Sequence, residues 1–238
     1  MLKELKIIYN LALDAVFPRF CVNCGSEGSL LCHVCAVDWS PMPPKFVCIY
    51  CGNDSILGRT CCIESIDIPD GHIATFHYAD SIVKGLIRAW KFHYDQSAWR
   101  HLQAQIATRL VGVCDLVSTF EIDAVVPIPL HNRRLCERGF DQALEVASLI
   151  GRDAEIPVSQ LLIRGRATKS QADKRTDAER YDAMKESPFI VNTNLEIPES
   201  VLLIDDVWTT GATARAAVRA LREAGVERVW VYTIAKGR

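Results

Sequence analysis

The sequence predicts an α/β protein: a mostly parallel sheet with flanking helices, preceded by a small cysteine-rich module. Three observations predict it. Eight of the ten cysteines fall between residues 21 and 62. After residue 71, short β-branched runs alternate with segments of helical periodicity, the signature of parallel strands joined by crossover helices. One of those runs, Val201–Ile204, ends in two acids and is followed by a loop of small hydroxylated residues and glycine.

The elements follow in order. Residues 1–19 form an N-terminal helix: Leu5, Ile8, Ala12 and Val16 lie at helical spacing and Pro18 stops it. Residues 20–70 hold the clustered cysteines and four of the ten prolines without a long periodic segment. They read as a loop-rich module held by ligands rather than by a core. Pro69-Asp70-Gly71 marks the boundary to an α/β domain over 71–238. There, His72–Tyr78 is a strand, Ser81–Phe92 a helix and 97–114 a second continuous helix. Asp123–Ile128 is a buried strand, followed by a Pro- and Arg-rich loop. Phe140–Ile150 is a helix ended by Gly151, and Phe189–Val191 a short strand. Val201–Ile204 is a buried strand, Ala212–Ala224 a helix capped by Gly225, and Arg228–Ile234 the last strand.

Composition excludes several classes. The chain has 238 residues, 49% hydrophobic and 24% charged, which is ordinary for a globular protein and excludes a disordered or collagen-like chain. No stretch reaches 18 uninterrupted apolar residues, so no membrane span is expected. Glu4 and Asp14 interrupt the N-terminal apolar segment, which is wrong for a signal peptide, so a cytoplasmic location is expected. The net charge of −2 is unevenly spread. Residues 1–70 carry five Lys/Arg against eight Asp/Glu, whereas residues 164–175 carry five against one. A polyanion should prefer the second region.

Cys21-x-x-Cys24 and Cys32-x-x-Cys35 form one half of the cysteine cluster, Cys48-x-x-Cys51 and Cys61-Cys62 the other. A secreted disulfide framework is one explanation, but nothing else in the chain looks secreted, and in a reducing compartment paired thiols more often hold metal. Four thiolates at about 2.3 Å satisfy tetrahedral zinc and leave no open position, so the zinc is structural. Adjacent Cys61 and Cys62 do not make a regular knuckle. Two sites filled in sequence order, one occupied site, and crossed pairing between the halves all remain open, as does a set of reduced buried cysteines.

The stretch from Val201 to Thr213 carries the most chemistry. Asp205 and Asp206 stand at the C-terminal end of a parallel strand, where open α/β sheets bind ligands. Thr209, Thr210, Gly211, Ala212 and Thr213 offer hydroxyls, loop N–H groups and a helix N-terminus to a phosphate. Two acids beside such a cradle suit vicinal sugar hydroxyls, and suit a second phosphate only if Mg²⁺ bridges it. A βα turn with a capped helix would account for the threonines, but not for the paired carboxylates. Arg133, Arg134 and Arg138, after strand 123–128, present guanidinium forks suited to a pyrophosphate, or form a solvated loop.

All thirteen of these positions resemble the phosphoribosyl-pyrophosphate fingerprint of type I phosphoribosyltransferases. The resemblance implies that Asp205 and Asp206 bind the ribose 2′- and 3′-hydroxyls, and that Thr209 to Thr213 bind the 5′-phosphate. Val126-Pro-Ile-Pro-Leu130 with Arg133, Arg134 and Arg138-Gly139-Phe140-Asp141-Gln142 is similar to the ComF/GntX family, with Asp141 where asparagine is usual. Arg164-x-Arg166-x-Thr168-x-x-Gln171 resembles that family's second signature, although no asparagine follows Arg180. Lys91-Phe92 matches its K-F element without the glycine that commonly follows, and the cysteine knuckles resemble its double zinc ribbon.

The resemblance implies a type I phosphoribosyltransferase-like fold behind a zinc ribbon, with structural zinc and catalytic Mg²⁺. It implies phosphoribosyl pyrophosphate or a nucleotide 5′-phosphate as ligand. It further implies single-stranded DNA and a competence helicase or other DNA-processing protein as partners in DNA uptake or utilisation. Two other functions fit the residues: an active phosphoribosyltransferase of nucleotide salvage, and a regulator that only senses the ligand. Purine-salvage relatives often carry an acid where Thr209 stands, and threonine at its normal pKa is no general base. A basic and aromatic set, Lys84, Arg88, Lys91 and Arg100 with Trp90, Phe92, Tyr94 and Trp99, is expected to track DNA. Within it Tyr94 and Trp99 are the expected stacking residues, while Trp90 and Phe92 pack a helix.

Overall fold

The computed structural model describes residues 18–164 and 188–237. The N-terminal helix expected over 2–17 and the basic residues from Arg166 to Arg180 lie outside them.

The α/β core is a four-stranded, all-parallel sheet of order β1-β6-β5-β2. Its strands are β1 (Gly71–His77), β2 (Ala124–Pro127), β5 (Ser200–Trp208) and β6 (Arg228–Lys236). β5 and β6 lie in the centre and are buried along most of their length. Their Val/Leu/Ile runs do not alternate because helices cover both faces. On one face Leu202, Ile204, Trp230 and Tyr232 join a core with α2 (Ser81–Phe92), α3 (Gln96–Ala107), α4 (Val111–Thr119) and α6 (Gln142–Asp153). On the other, Val201, Leu203, Val229 and Val231 pack against α7 (Ala212–Glu223). A separate antiparallel pair, β3 (Leu162–Arg164) with β4 (Phe189–Val191), packs on that second core through Leu162 and Phe189.

Three expectations need correction. The helix expected over 97–114 is two helices, α3 and α4. The Arg109 backbone N–H donates to the Ile106 carbonyl rather than to that of Gln105, and α4 restarts after Leu110. Thr108 and Leu110 keep helical dihedrals, so Leu102, Ile106, Leu110 and Val113 all remain buried and the period runs through the break. Gly151 does not end α6 but lies inside it. A Cβ there would meet Val158 Cγ2 at 2.7 Å and the Ile156 carbonyl at 2.9 Å, so the residue permits close packing of the returning chain. The Arg-rich loop contains a short helix, α5 (Asn132–Arg138), closed by Gly139 at φ 75°.

The cysteine-rich segment contains α1 (His33–Asp38) and a 3₁₀ turn at Ile56–Gly58. It packs against the α/β core: Cys21, Leu31, Cys35 and Trp39 belong to the same buried cluster as α2 and β6, and Trp39 stacks on Phe76 at 5.9 Å. At the expected boundary, Asp70 and Val229 exchange hydrogen bonds: each backbone N–H donates to the other residue, at 2.6 and 2.9 Å. Asp70 also pairs with Arg222 of α7 at 2.9 Å.

Candidate phosphate and ribose site with two thiol clusters

A cleft of ≈ 320 Å³ opens at the C-terminal end of β5. Its lining includes Asp205 and Asp206 from β5, Thr209 and Thr213 from the following loop and helix, Lys91 from α2, Arg134 from α5 and Arg164 from β3. The acid pair and part of the threonine loop therefore meet in one space.

β5 runs on to Trp208, so the two acids belong to the strand rather than to a loop after it. Asp205 Oδ1 accepts the backbone N–H of Asp206 at 2.8 Å, which fixes its carboxyl. Desolvation, and next the charge of Asp206, push the Asp205 carboxyl up to about 7, against the pull of Lys91 and Arg164. Asp206 is held differently. Its Oδ2 lies 2.5 Å from Lys91 Nζ. Gly211, at φ 73°, caps the start of α7, a twelve-residue helix whose first N–H groups have no intrahelical acceptor. Beneath it the Trp208 ring lies against His72, at 4.6 Å. Burial takes the His72 imidazole down to about 3, so at neutral pH it is an uncharged partner of Thr233 at 2.9 Å.

The three predicted arginines are not equivalent. Arg134 lines the cleft and makes no ion pair among the described residues. Arg133 pairs with Glu137 at 2.8 Å on an exposed face. Arg138 donates to Gln142 Oε1 at 2.8 Å. Burial and the like charge of Arg134 both depress the Arg164 pKa, against the pull of Asp205. Arg164 is steadied by Pro129 O at 3.4 Å and by the Phe189 ring at 5.3 Å. Asp141, where asparagine is usual, uses both oxygens: Oδ1 accepts Leu144 N–H to cap α6, and Oδ2 accepts Leu130 N–H from the proline-rich loop.

Sequence reasoning did not assign Lys91, Arg164, Tyr78 or Gln142 to this cleft. Lys91 and Arg164 stand out in the sequence as parts of family elements and of basic regions expected to meet DNA, and neither lies near the acids in sequence. Gln142 is 1% exposed, and its Nε2 finds no acceptor among the described residues. The expected DNA-stacking pair is corrected. Trp99 is buried and stacks on Trp90 at 4.7 Å, while Phe92 stands exposed. Tyr94 is exposed as expected.

The cysteines form two clusters in sequence order. The thiols of Cys21, Cys24, Cys32 and Cys35 all lie within 4.8 Å of one another, as do those of Cys48, Cys51 and Cys61. Cys62 Sγ joins the second group at 3.7 Å from Cys48 Sγ. Crossed pairing between the halves is therefore not what the fold builds. Burial opposes ionisation of Cys48, but N–H groups of Cys51, Cys61 and Tyr50 outweigh it and bring the thiol down to about 6. Cys61 is pushed up to about 11, first by its hydrogen bond with Cys51. Neighbouring thiolates repel, and a divalent cation among them removes that conflict. Both clusters can hold a metal such as zinc.

Parallel sheet, crossover helices, acid pair and threonine loop together define a phosphoribosyltransferase-like domain. Residues 139–238 match the phosphoribosyl transferase domain family. Competence protein F of Haemophilus influenzae is 26% identical over 226 residues, covering 92% of this chain and 85% of that protein. Competence protein ComFC of Bacillus subtilis is 29% identical over 214 residues, 87% of this chain and 79% of that one. ComFC of Streptococcus pneumoniae is 32% identical over 111 residues, 47% of each chain. Over most of its length the chain is thus similar to competence proteins F and ComFC, with a phosphoribosyl transferase domain over its second half.

Proposed function

We propose that the cleft binds 5-phosphoribosyl pyrophosphate or the 5′-phosphate of a nucleotide, and that the protein serves DNA uptake or utilisation in the cytoplasm. One observation carries the ligand reading: Asp205, Asp206, Thr209 and Thr213 line the same cleft as Arg134 and Arg164. Carboxylates accept from ribose hydroxyls, while threonine hydroxyls and the first N–H groups of α7 donate to the 5′-phosphate. The two guanidiniums suit the pyrophosphate. The names of the relatives, competence proteins, support a role in competence; single-stranded DNA on the basic face and a competence helicase or other DNA-processing protein are the partners this reading adds.

Zinc in the two thiol clusters is structural in this reading: four thiolates close the first site, and Cys62, beside Cys48, would complete the second. Magnesium, where it is present, would be carried by the pyrophosphate. Carboxylate and hydroxyl oxygens of the kind present at Asp205 and Thr209 fit its preference for hard donors. Thr209 supplies no base for a nitrogen nucleophile, so ligand binding rather than turnover is the activity expected of the site.

Calorimetry with phosphoribosyl pyrophosphate tests the reading. Asp205→Asn with Asp206→Asn should abolish binding without unfolding the chain, because the amides keep the shape and lose charge-assisted bonds of about 1.5–3 kcal/mol each. Unchanged affinity would remove the acid pair from the site. Pyrophosphate release in the presence of a nucleobase would instead establish a salvage enzyme.

A further inference from the structure

Lys91 has an unusual position for a lysine. It is the penultimate residue of α2, yet its side chain is only 17% exposed and faces an Asp206 side chain that is 20% exposed. Lysine is rarely withdrawn from water unless it is paired. Here the pair lies at 2.5 Å within the cleft lined by Arg134 and Arg164. The sequence holds it there from both ends of the helix. Asp80 fixes the start of α2 by accepting from Ile82 and Val83 N–H at 2.9 and 3.0 Å. At the other end, fully buried Trp90 is clamped between Trp99 and Phe140, at 4.7 and 6.0 Å. The last turn of a helix also favours an ammonium electrostatically.

The geometry points to Lys91 as a built-in cation of the ligand site: its ammonium holds Asp206 and faces the ligand's phosphates, so a phosphoribosyl ligand binds without requiring a divalent metal. This rests on the ligand reading above and deepens it. Magnesium demands near-octahedral oxygen ligation and gives up water reluctantly. At Asp206 Oδ2 it would have to displace an ammonium already in contact. An ammonium with three donors can keep one on Asp206 and offer the others to phosphate oxygens.

The test is the affinity for phosphoribosyl pyrophosphate, by calorimetry, of wild type, Lys91→Met and Lys91→Arg, each with excess Mg²⁺ and with EDTA. Wild type should differ by less than about threefold between the two conditions. Lys91→Met should lose roughly 10- to 150-fold in EDTA, the equivalent of one charge-assisted bond, and recover most of it with Mg²⁺. Lys91→Arg should stay close to wild type in EDTA. Wild-type binding that needs Mg²⁺ overturns the inference and leaves the ligand reading intact, and that arm involves no variant. An equal loss for Lys91→Met in both conditions also overturns it, since the lysine would not then substitute for metal. Absence of binding by wild type in either condition overturns the ligand reading itself.

Discussion

Replacing Gly211 by alanine should damage the phosphate loop more than the same change damages another left-handed glycine. Gly211 sits at φ 73° and Gly139 at φ 75°, so the backbone strain introduced is the same, about 1–2 kcal/mol for a non-glycine residue. The surroundings differ. At Gly139 nothing lies within 4 Å of an added Cβ. At Gly211 it would meet the Trp208 ring, with Cε2 at 2.9 Å and Cζ2 closer still. That ring cannot withdraw: Trp208 is 7% exposed, lies against His72, and its carbonyl accepts Gly237 N–H at 2.8 Å. Overpacking of this kind adds about 1–3 kcal/mol. Gly211→Ala should therefore cost about 2–5 kcal/mol in all, from strain and overpacking together. At about 2–4 °C per kcal/mol for a chain of this size, its melting temperature should fall by at least about 4 °C. Gly139→Ala should fall by about 2–8 °C, less than Gly211→Ala measured in parallel. Thermal unfolding in one buffer decides it. Equal falls, or a larger fall for Gly139→Ala, would refute the claim that Trp208 supports the loop.

Three further outcomes are expected. In an unfolded chain Asp205 titrates near ~3.9, whereas folding raises it to about 7. Between those values the folded state keeps a proton that the unfolded state has lost, so the residue weakens folding as pH rises toward about 7. Asp205→Asn should accordingly gain more melting temperature over wild type at pH 8 than at pH 5, and a gap that narrows with rising pH would contradict this. Asp70→Ala should destabilise by about 1–3 kcal/mol, more than Arg222→Ala, because it strips the acceptor from the buried Val229 N–H as well as the ion pair. Denaturant titration of both variants measures the difference. Elemental analysis of reduced protein should find one or two zinc per chain, and chelation should melt the cysteine-rich segment first. Less than half an equivalent would argue against metal there.

The sheet and the threonine loop after β5 were legible because their signals are local. Buried strands read as continuous aliphatic runs, and the acid pair with its threonine loop lies within thirteen consecutive residues. The pairing of the cysteine knuckles was half legible: spacing proposes the pairs, but only the fold brings 21 and 24 to 32 and 35. What escaped was set by tertiary contact. Nothing near Lys91 in sequence says that its ammonium reaches Asp206, 115 positions away. Nothing in the alternation around Trp99 distinguishes a stacking platform from a residue packed on Trp90. The glycine at 151 looked like a stop because the chain returning through Val158 cannot be read locally. Among the three arginines after β2, spacing alone did not show that only Arg134 lines the cleft, since Arg133 and Arg138 find partners one helical turn away.

The central claim is that the acid pair reads sugar hydroxyls while the threonine loop holds phosphate. Comparing the affinities for ribose 5-phosphate and 2-deoxyribose 5-phosphate tests it most directly, since the two ligands differ by one hydroxyl. Wild type should prefer the ribose form by roughly 10- to 150-fold, the value of one charge-assisted hydrogen bond, and Asp205→Asn with Asp206→Asn should abolish the preference. Equal wild-type affinities for the two sugars would contradict the account.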